Sequence, residues 1–228
     1  YCYTQLIDKP TKYLVGTEQG SILTVNKRPK KPVDIGARYG LESGRHYGPI
    51  TAIQRNPFHT KYLMTVEIGQ QGIFPLETNS YIQYVDRNED ANLKTPILRT
   101  RYHNAYLSDG TWSPSRPGVF FVTRRDGWMD VWDYFYRQNE IAFSHKVSDS
   151  ALTCIKINNT TGGNKRIKDI FDELLGNQSI LGKFAAIGDQ SGTVTLLELC
   201  ESLYMAGSDN KEKEVIGDVI NLSLRHKY

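Results

Sequence analysis

The chain is poor in cysteine, has no long apolar run and carries little excess charge of either sign. Its cysteines are Cys2, Cys154 and Cys200, odd in number and far apart. That spacing excludes a disulfide framework and any metal site built on paired thiols, and it fits a reducing compartment. No stretch approaches the roughly 20 apolar residues that a bilayer-spanning helix needs, and no basic, apolar and small-residue signal opens the sequence. A net charge of +3 on 228 residues is too mild for a protein that holds nucleic acid by charge. The first residue is Tyr1, set in sequence that already reads as structured, so the chain is expected to be part of a longer protein.

Catalytic motifs are missing as well. There is no phosphate-cradling Gly-x-x-x-x-Gly-Lys-Ser/Thr, no His-Glu-x-x-His and no Gly-x-Ser-x-Gly. Among His46, His59, His103, His145 and His226, no two stand at metal-ligand spacing. The expectation is a non-enzyme with no cofactor, no metal and no catalytic residue.

What is present is β-forming and repetitive. Aromatic residues make up 11% of the chain, with 14 tyrosines among them, a composition that suits pleated sheet better than a helical bundle. Three segments share one pattern of apolar run, polar turn ending in glycine, and second apolar run: residues 13–23, 119–133 and 184–197. Each reads as a hairpin. A degraded fourth copy is expected over 62–76, with Gly69 and Gly72 near its turn. The turn glycines Gly20, Gly72, Gly127 and Gly192 fall 52, 55 and 65 residues apart, against roughly 40–45 for a four-stranded propeller blade without insertions. Residues 49–57, 107–114 and 151–157 read as further strands ahead of the hairpins. The pattern predicts an all-β propeller, with about four blades over residues 1–200 as part of a larger, seven-blade ring. Residues 158–183, with Ile167, Ile170, Phe171, Leu174 and Leu175 at helical spacing, predict a decorated loop with a short helix inside the last blade. The stretch 72–96 reads as a divergent outer strand, near Tyr81 to Val85, and a long loop. Residues 201–228 read as a C-terminal tail or docking extension.

Trp132-Asp133, behind Asp126-Gly127, is the dipeptide that closes the third strand of a WD-repeat blade. In that blade His103, Thr123, Asp126 and Trp132 are expected to form a buried hydrogen-bond relay from carboxylate through imidazole and hydroxyl to indole, because buried polar groups need partners. A catalytic His–Thr–Asp reading fails for want of an exposed, positioned hydroxyl. Arg124, Arg125 and Trp128 around the same turn are of the types that anchor protein interfaces, although burial between blades would serve the aromatic side chain equally. The basic run Lys27-Arg28-Pro29-Lys30-Lys31 fits a nuclear-transport or phosphate-binding patch, or a solvated loop.

Taken in order, residues 13–20 (YLVGTEQG), 46–58 (HYGPITAIQRNPF), 102–107 (YHNAYL), 112–121 (WSPSRPGVFF), 130–133 (DVWD) and 188–198 (GDQSGTVTLLE) resemble the axonemal outer-arm dynein intermediate chains, the second intermediate chain above all. The resemblance covers roughly residues 11–199. Over Gly69 to Thr95 it lapses: the family carries a Gly-Asp-Trp hairpin ending in Ile-Trp where this chain reads EIGQQGIF at 67–74. The resemblance implies a non-catalytic WD-repeat scaffold in the cytoskeleton of a cilium or flagellum. Its propeller would bind the tail of a dynein heavy chain and pair with a second dynein intermediate chain. Dynein light chains would bind segments outside this one, and the complex would sit on the microtubule doublet, with no direct nucleic-acid or membrane contact. The competing reading keeps the fold and places it in a nuclear or ubiquitin-ligase complex.

Overall fold

The computed structural model describes residues 2–6, 9–26, 35–39, 46, 48–59, 62–68, 82–86, 98–99, 105–137, 140–159, 181–205 and 211–215. They form four antiparallel sheets that follow one another along the chain. The first joins β1 (Cys2–Leu6), β2 (Lys9–Gly16), β3 (Ile22–Asn26) and β4 (Ile35–Tyr39). The second joins β5 (Ile50–Arg55), β6 (Tyr62–Glu67), β7 (Ile82–Asp86) and β8 (Leu98–Arg99). β9 (Leu107–Trp112), β10 (Val119–Arg124), β11 (Trp128–Asp133) and β12 (Phe143–Lys146) make the third. The fourth holds β13 (Leu152–Ile157), β14 (Phe184–Asp189) and β15 (Val194–Glu198), followed by a short helix, α1 (Glu201–Tyr204). Strands pair in sequence order within every sheet, and the first strand of each lies against the first strand of the next: β1 on β5, β5 on β9, β9 on β13. Those are the blades of a partial WD-repeat β-propeller, arranged around an axis lined by their first strands.

The apolar side chains sit at the seams because alternate residues of a strand face opposite neighbours. Leu14 and Ile22 of the first blade meet Ile50, Ile53 and Leu63 of the second. At the next seam Met64 and Val66 meet Leu107, Trp112, Phe120, Val122 and Trp132. Phe120 is its centre, stacked on Trp132 at 5.7 Å and 9° and meeting Trp112 edge-on at 5.4 Å. The opposite face of β10 and β11, with Val119, Phe121, Met129 and Val131, packs on Leu152, Ile155, Ala185 and Ile187 of the fourth blade. Gly110 is required here by close approach: a Cβ on it would stand 2.8 Å from Val66 Cγ2.

Two sequence expectations are corrected at the second blade. β6 pairs with β7, in the register Tyr62↔Asp86 to Val66↔Ile82, so the hairpin does not close by residue 76. From Ile82 onward, the stretch expected to be an outer strand is therefore the third strand, and β8 is the outer strand. Glycine at 69 and 72 suggested a tight turn, but no β-branched run follows it until residue 82. Residues 160–180, where the short helix of the decorated loop was expected, lie outside the described residues.

Candidate functional site

A buried polar circuit joins the loop entering the second blade to that blade's second strand. His46 stands four residues ahead of β5, whose first residue is Ile50. Its Nδ1 is 2.7 Å from Glu67 Oε2 and its Nε2 is 2.7 Å from Thr65 Oγ1. The second Glu67 oxygen accepts the Gly48 backbone N–H. All three side chains are sealed, with Thr65 0% and His46 1% exposed. Acid, imidazole and hydroxyl in line are the parts of a nucleophilic triad, yet a hydroxyl that no substrate can reach performs no chemistry. The circuit is structural. It satisfies buried polar groups and fixes the entry loop to the second strand of the blade.

That relay was expected one blade later, and comparing the two blades shows that two of its members, Thr123 and Trp132, face opposite sides there. Thr65 and Glu67 are the fourth and sixth residues of β6, and Val122 and Arg124 hold those places in β10. Thr123 is one residue off, so its side chain points to the other face. It bonds Ser108 Oγ at 2.9 Å on the side of the fourth blade, whereas Trp132 is packed on the side of the second. The structure does not bring Thr123 and Trp132 together. Asp126 lies in the β10–β11 turn, its carboxylate 2.6 Å from Arg124. His103, the fourth expected member, lies outside the described residues. The fourth blade repeats the second in reduced form: Ser148, four residues before β13, donates to Asp189, the sixth residue of β14, at 2.7 Å. Hydrogen bonds from Ser191 and Ser148 hold the Asp189 carboxyl below its ordinary value.

Of the expected interface residues, Arg124 is committed inward. It bridges Asp126 and the fully buried Asp130, and these carboxylates outweigh burial and keep its guanidinium charged. Trp128 lies beneath both Arg124 and Lys146, whose charges stand 5.9 and 6.0 Å from its ring. Arg125 is exposed at the tip of the turn. The basic run 27–31 lies outside the described residues.

Sequence reasoning missed two polar devices, one between blades and one between a blade and the residues that follow the last sheet. Asp109 of β9 accepts the Ile155 N–H of β13 at 3.0 Å and the Gly110 N–H at 2.8 Å. Burial pushes its carboxyl up, against the pull of those donors and of Lys156. On the opposite face, Arg116 in the β9–β10 connector is 4% exposed and pairs with Asp133 and with Glu212, far along the chain. Neither pairing has a signal in one sequence, since the partners are 46 and 96 residues distant. Beside the edge of β15, which carries no fourth strand among the described residues, lies a mainly apolar cavity of about 430 Å³ lined by Met129, Val131, Phe143, Leu197 and Leu203.

Among the described residues, no three His, Cys, Asp or Glu side chains are grouped to hold a metal, and no helix is long and apolar enough to cross a membrane.

Comparison with known proteins agrees with this architecture. Residues 3–199 match the family model described as the dynein axonemal intermediate chain 3 WD40 domain. The chain belongs to the axonemal dynein intermediate chains. It is 44% identical to the 70 kDa intermediate chain of the flagellar outer arm of Chlamydomonas reinhardtii over 153 residues, 67% of this chain and 24% of that protein. To dynein axonemal intermediate chain 2 of Rattus norvegicus it is 37% identical over 194 residues, 85% of this chain and 25% of the other. The ciliary dynein intermediate chain 3 of Heliocidaris crassispina is 37% identical over 195 residues, again 85% of this chain and 26% of the relative. The chain thus spans about a quarter of the length of the dynein intermediate chains it matches. Its match to the family model ends at residue 199, one residue short of the expected end of the propeller segment and ahead of α1.

Proposed function

We propose that this chain is a non-catalytic scaffold segment of a ciliary or flagellar dynein complex. Its blades hold the tail of a dynein heavy chain and pair with a second intermediate chain, and the complex stands on the doublet microtubule. The observation that carries this reading is membership of the axonemal intermediate chains over 3–199, combined with a His–Thr–Glu circuit too deeply sealed for catalysis. Function then lies in surface and rigidity: ATP chemistry belongs to the heavy chain, and light chains attach outside this segment. Arg125, exposed beside the Arg124–Trp128 cluster, is our candidate contact with a partner.

The test is affinity purification of the full-length tagged protein from axonemes. A dynein heavy chain and a second propeller subunit should dominate what is recovered. Recovery of nuclear or ubiquitin-ligase components in their place would overturn the reading. Substituting Arg125→Glu should reduce heavy-chain recovery without lowering the melting temperature, and unchanged recovery would remove Arg125 from the interface.

A further inference from the structure

Residues 201–205 and 211–215 between them make contact with three blades. From α1, Tyr204 is buried among Val119, Phe121 and Leu199, with Leu203 packed beside them, which anchors the start of the segment between the third and fourth blades. Further on, the helical turn at 211–215 reaches the connector of the third blade through Glu212 and that of the second through the Lys213 carbonyl, which accepts from His59 Nε2 at 3.1 Å. In that turn Glu212 is buried, while Lys211, Lys213, Glu214 and Val215 are exposed.

The receiving group is Arg116. One terminal nitrogen of its guanidinium is held by Asp133 at 2.9 Å and by the Ser202 carbonyl at 2.6 Å. Its other edge faces Glu212: Nε donates to Oε2 at 3.1 Å, and the second terminal nitrogen stands 3.0 Å from Oε1 as an ion-pair contact without hydrogen-bond geometry. A hydrogen bond between two ionised groups is roughly twice as strong as a neutral one. Asp133 already balances the charge of Arg116, so removing Glu212 leaves a neutral pair behind and not a stranded cation.

We propose that Arg116 is a docking site for a carboxylate carried on a short helical turn, filled in this chain by Glu212, and that this pair latches residues 211–215 across the second and third blades. Residues 201–205 are fixed by apolar burial at Tyr204, and residues 211–215 hang on the Arg116–Glu212 pair. This goes beyond the scaffold reading and does not depend on which proteins the blades hold.

Trypsin cleavage at Lys211 and Lys213, followed by mass spectrometry on the full chain, reads the latch directly. Glu212→Ala should speed cleavage at these two sites by about tenfold or more, with cleavage at Arg124 and Arg125 unchanged. Glu214→Ala, altering an exposed neighbour, should leave all rates as they were. A labelled peptide of residues 209–217, followed by fluorescence anisotropy, should bind the Glu212→Ala chain, and the same peptide with alanine for its glutamate should not. Equal cleavage of Glu212→Ala and wild type would overturn the latch, and equal binding of the two peptides would overturn the docking site.

Discussion

Single side chains decide how the entry loops are held. Glu67 serves His46 and Gly48 together, so Glu67→Ala leaves an imidazole nitrogen and a backbone N–H buried without their acceptor. The expected cost is about 2–4 kcal/mol, read by chemical denaturation; a loss under about 0.5 kcal/mol would show that water replaces the carboxylate. Asp109 makes a prediction about pH. Burial raises its folded-state value above 3.8, so the folded state takes up its proton more readily than the unfolded chain does. The stability it contributes is therefore full below that value and is lost as pH rises through the raised one. Asp109→Asn should gain on wild type as pH climbs from about 4 to 7, and a pH-independent gap between the two would contradict a burial-dominated shift. The relay expected around Thr123 has a counterpart at His46, Thr65 and Glu67 of the preceding blade. Thr123 and Val122 differ by one position, and only the register of β10 shows which of them faces the seam.

At the level of strands and turns, hairpins with a short glycine turn were legible and those without one were not. β2–β3, β10–β11 and β14–β15 turn at Gly20, Gly127 and Gly192, all at positive φ, which glycine accepts without a steric penalty. β6–β7 closes over a longer connection and was misread for that reason. Gly127 and Gly192 separate two contributions to such a turn. Their φ angles are alike, 86° and 87°, but a Cβ on Gly127 would lie 1.9 Å from the Ser148 carbonyl, whereas nothing lies within 4 Å of one on Gly192. Gly192→Ala should cost about 1–2 kcal/mol for the left-handed backbone alone. Gly127→Ala should cost clearly more, because the 147–148 backbone, which bonds the Gly127 carbonyl, must also shift. Equal melting temperatures for the two variants would show that the Ser148 loop yields freely.

Across the whole molecule, apolar burial is concentrated in the seams between blades. Phe120→Ala empties the centre of the seam between the second and third blades and should cost about 3–5 kcal/mol. Leu196 shows the contrast: it is 67% exposed on the outer side of the fourth blade, and Leu196→Lys should change the stability of this chain by less than about 0.5 kcal/mol. Thermal denaturation of the two variants checks both, and a large loss from Leu196→Lys would mean that this face is covered within the chain.

Alternating apolar residues and glycine turns are local signals, and from them the sequence by itself determined an all-β chain of repeated hairpins and an absence of catalytic motifs. The partners of Glu67, Asp109 and Arg116 were decided only when the sheets packed. Each of these side chains meets groups from a different strand, loop or blade, and chain separation carries no information about which buried donor will stand opposite which acceptor. Periodicity is set by neighbours in sequence, while pairing is set by whichever surfaces the ring brings face to face.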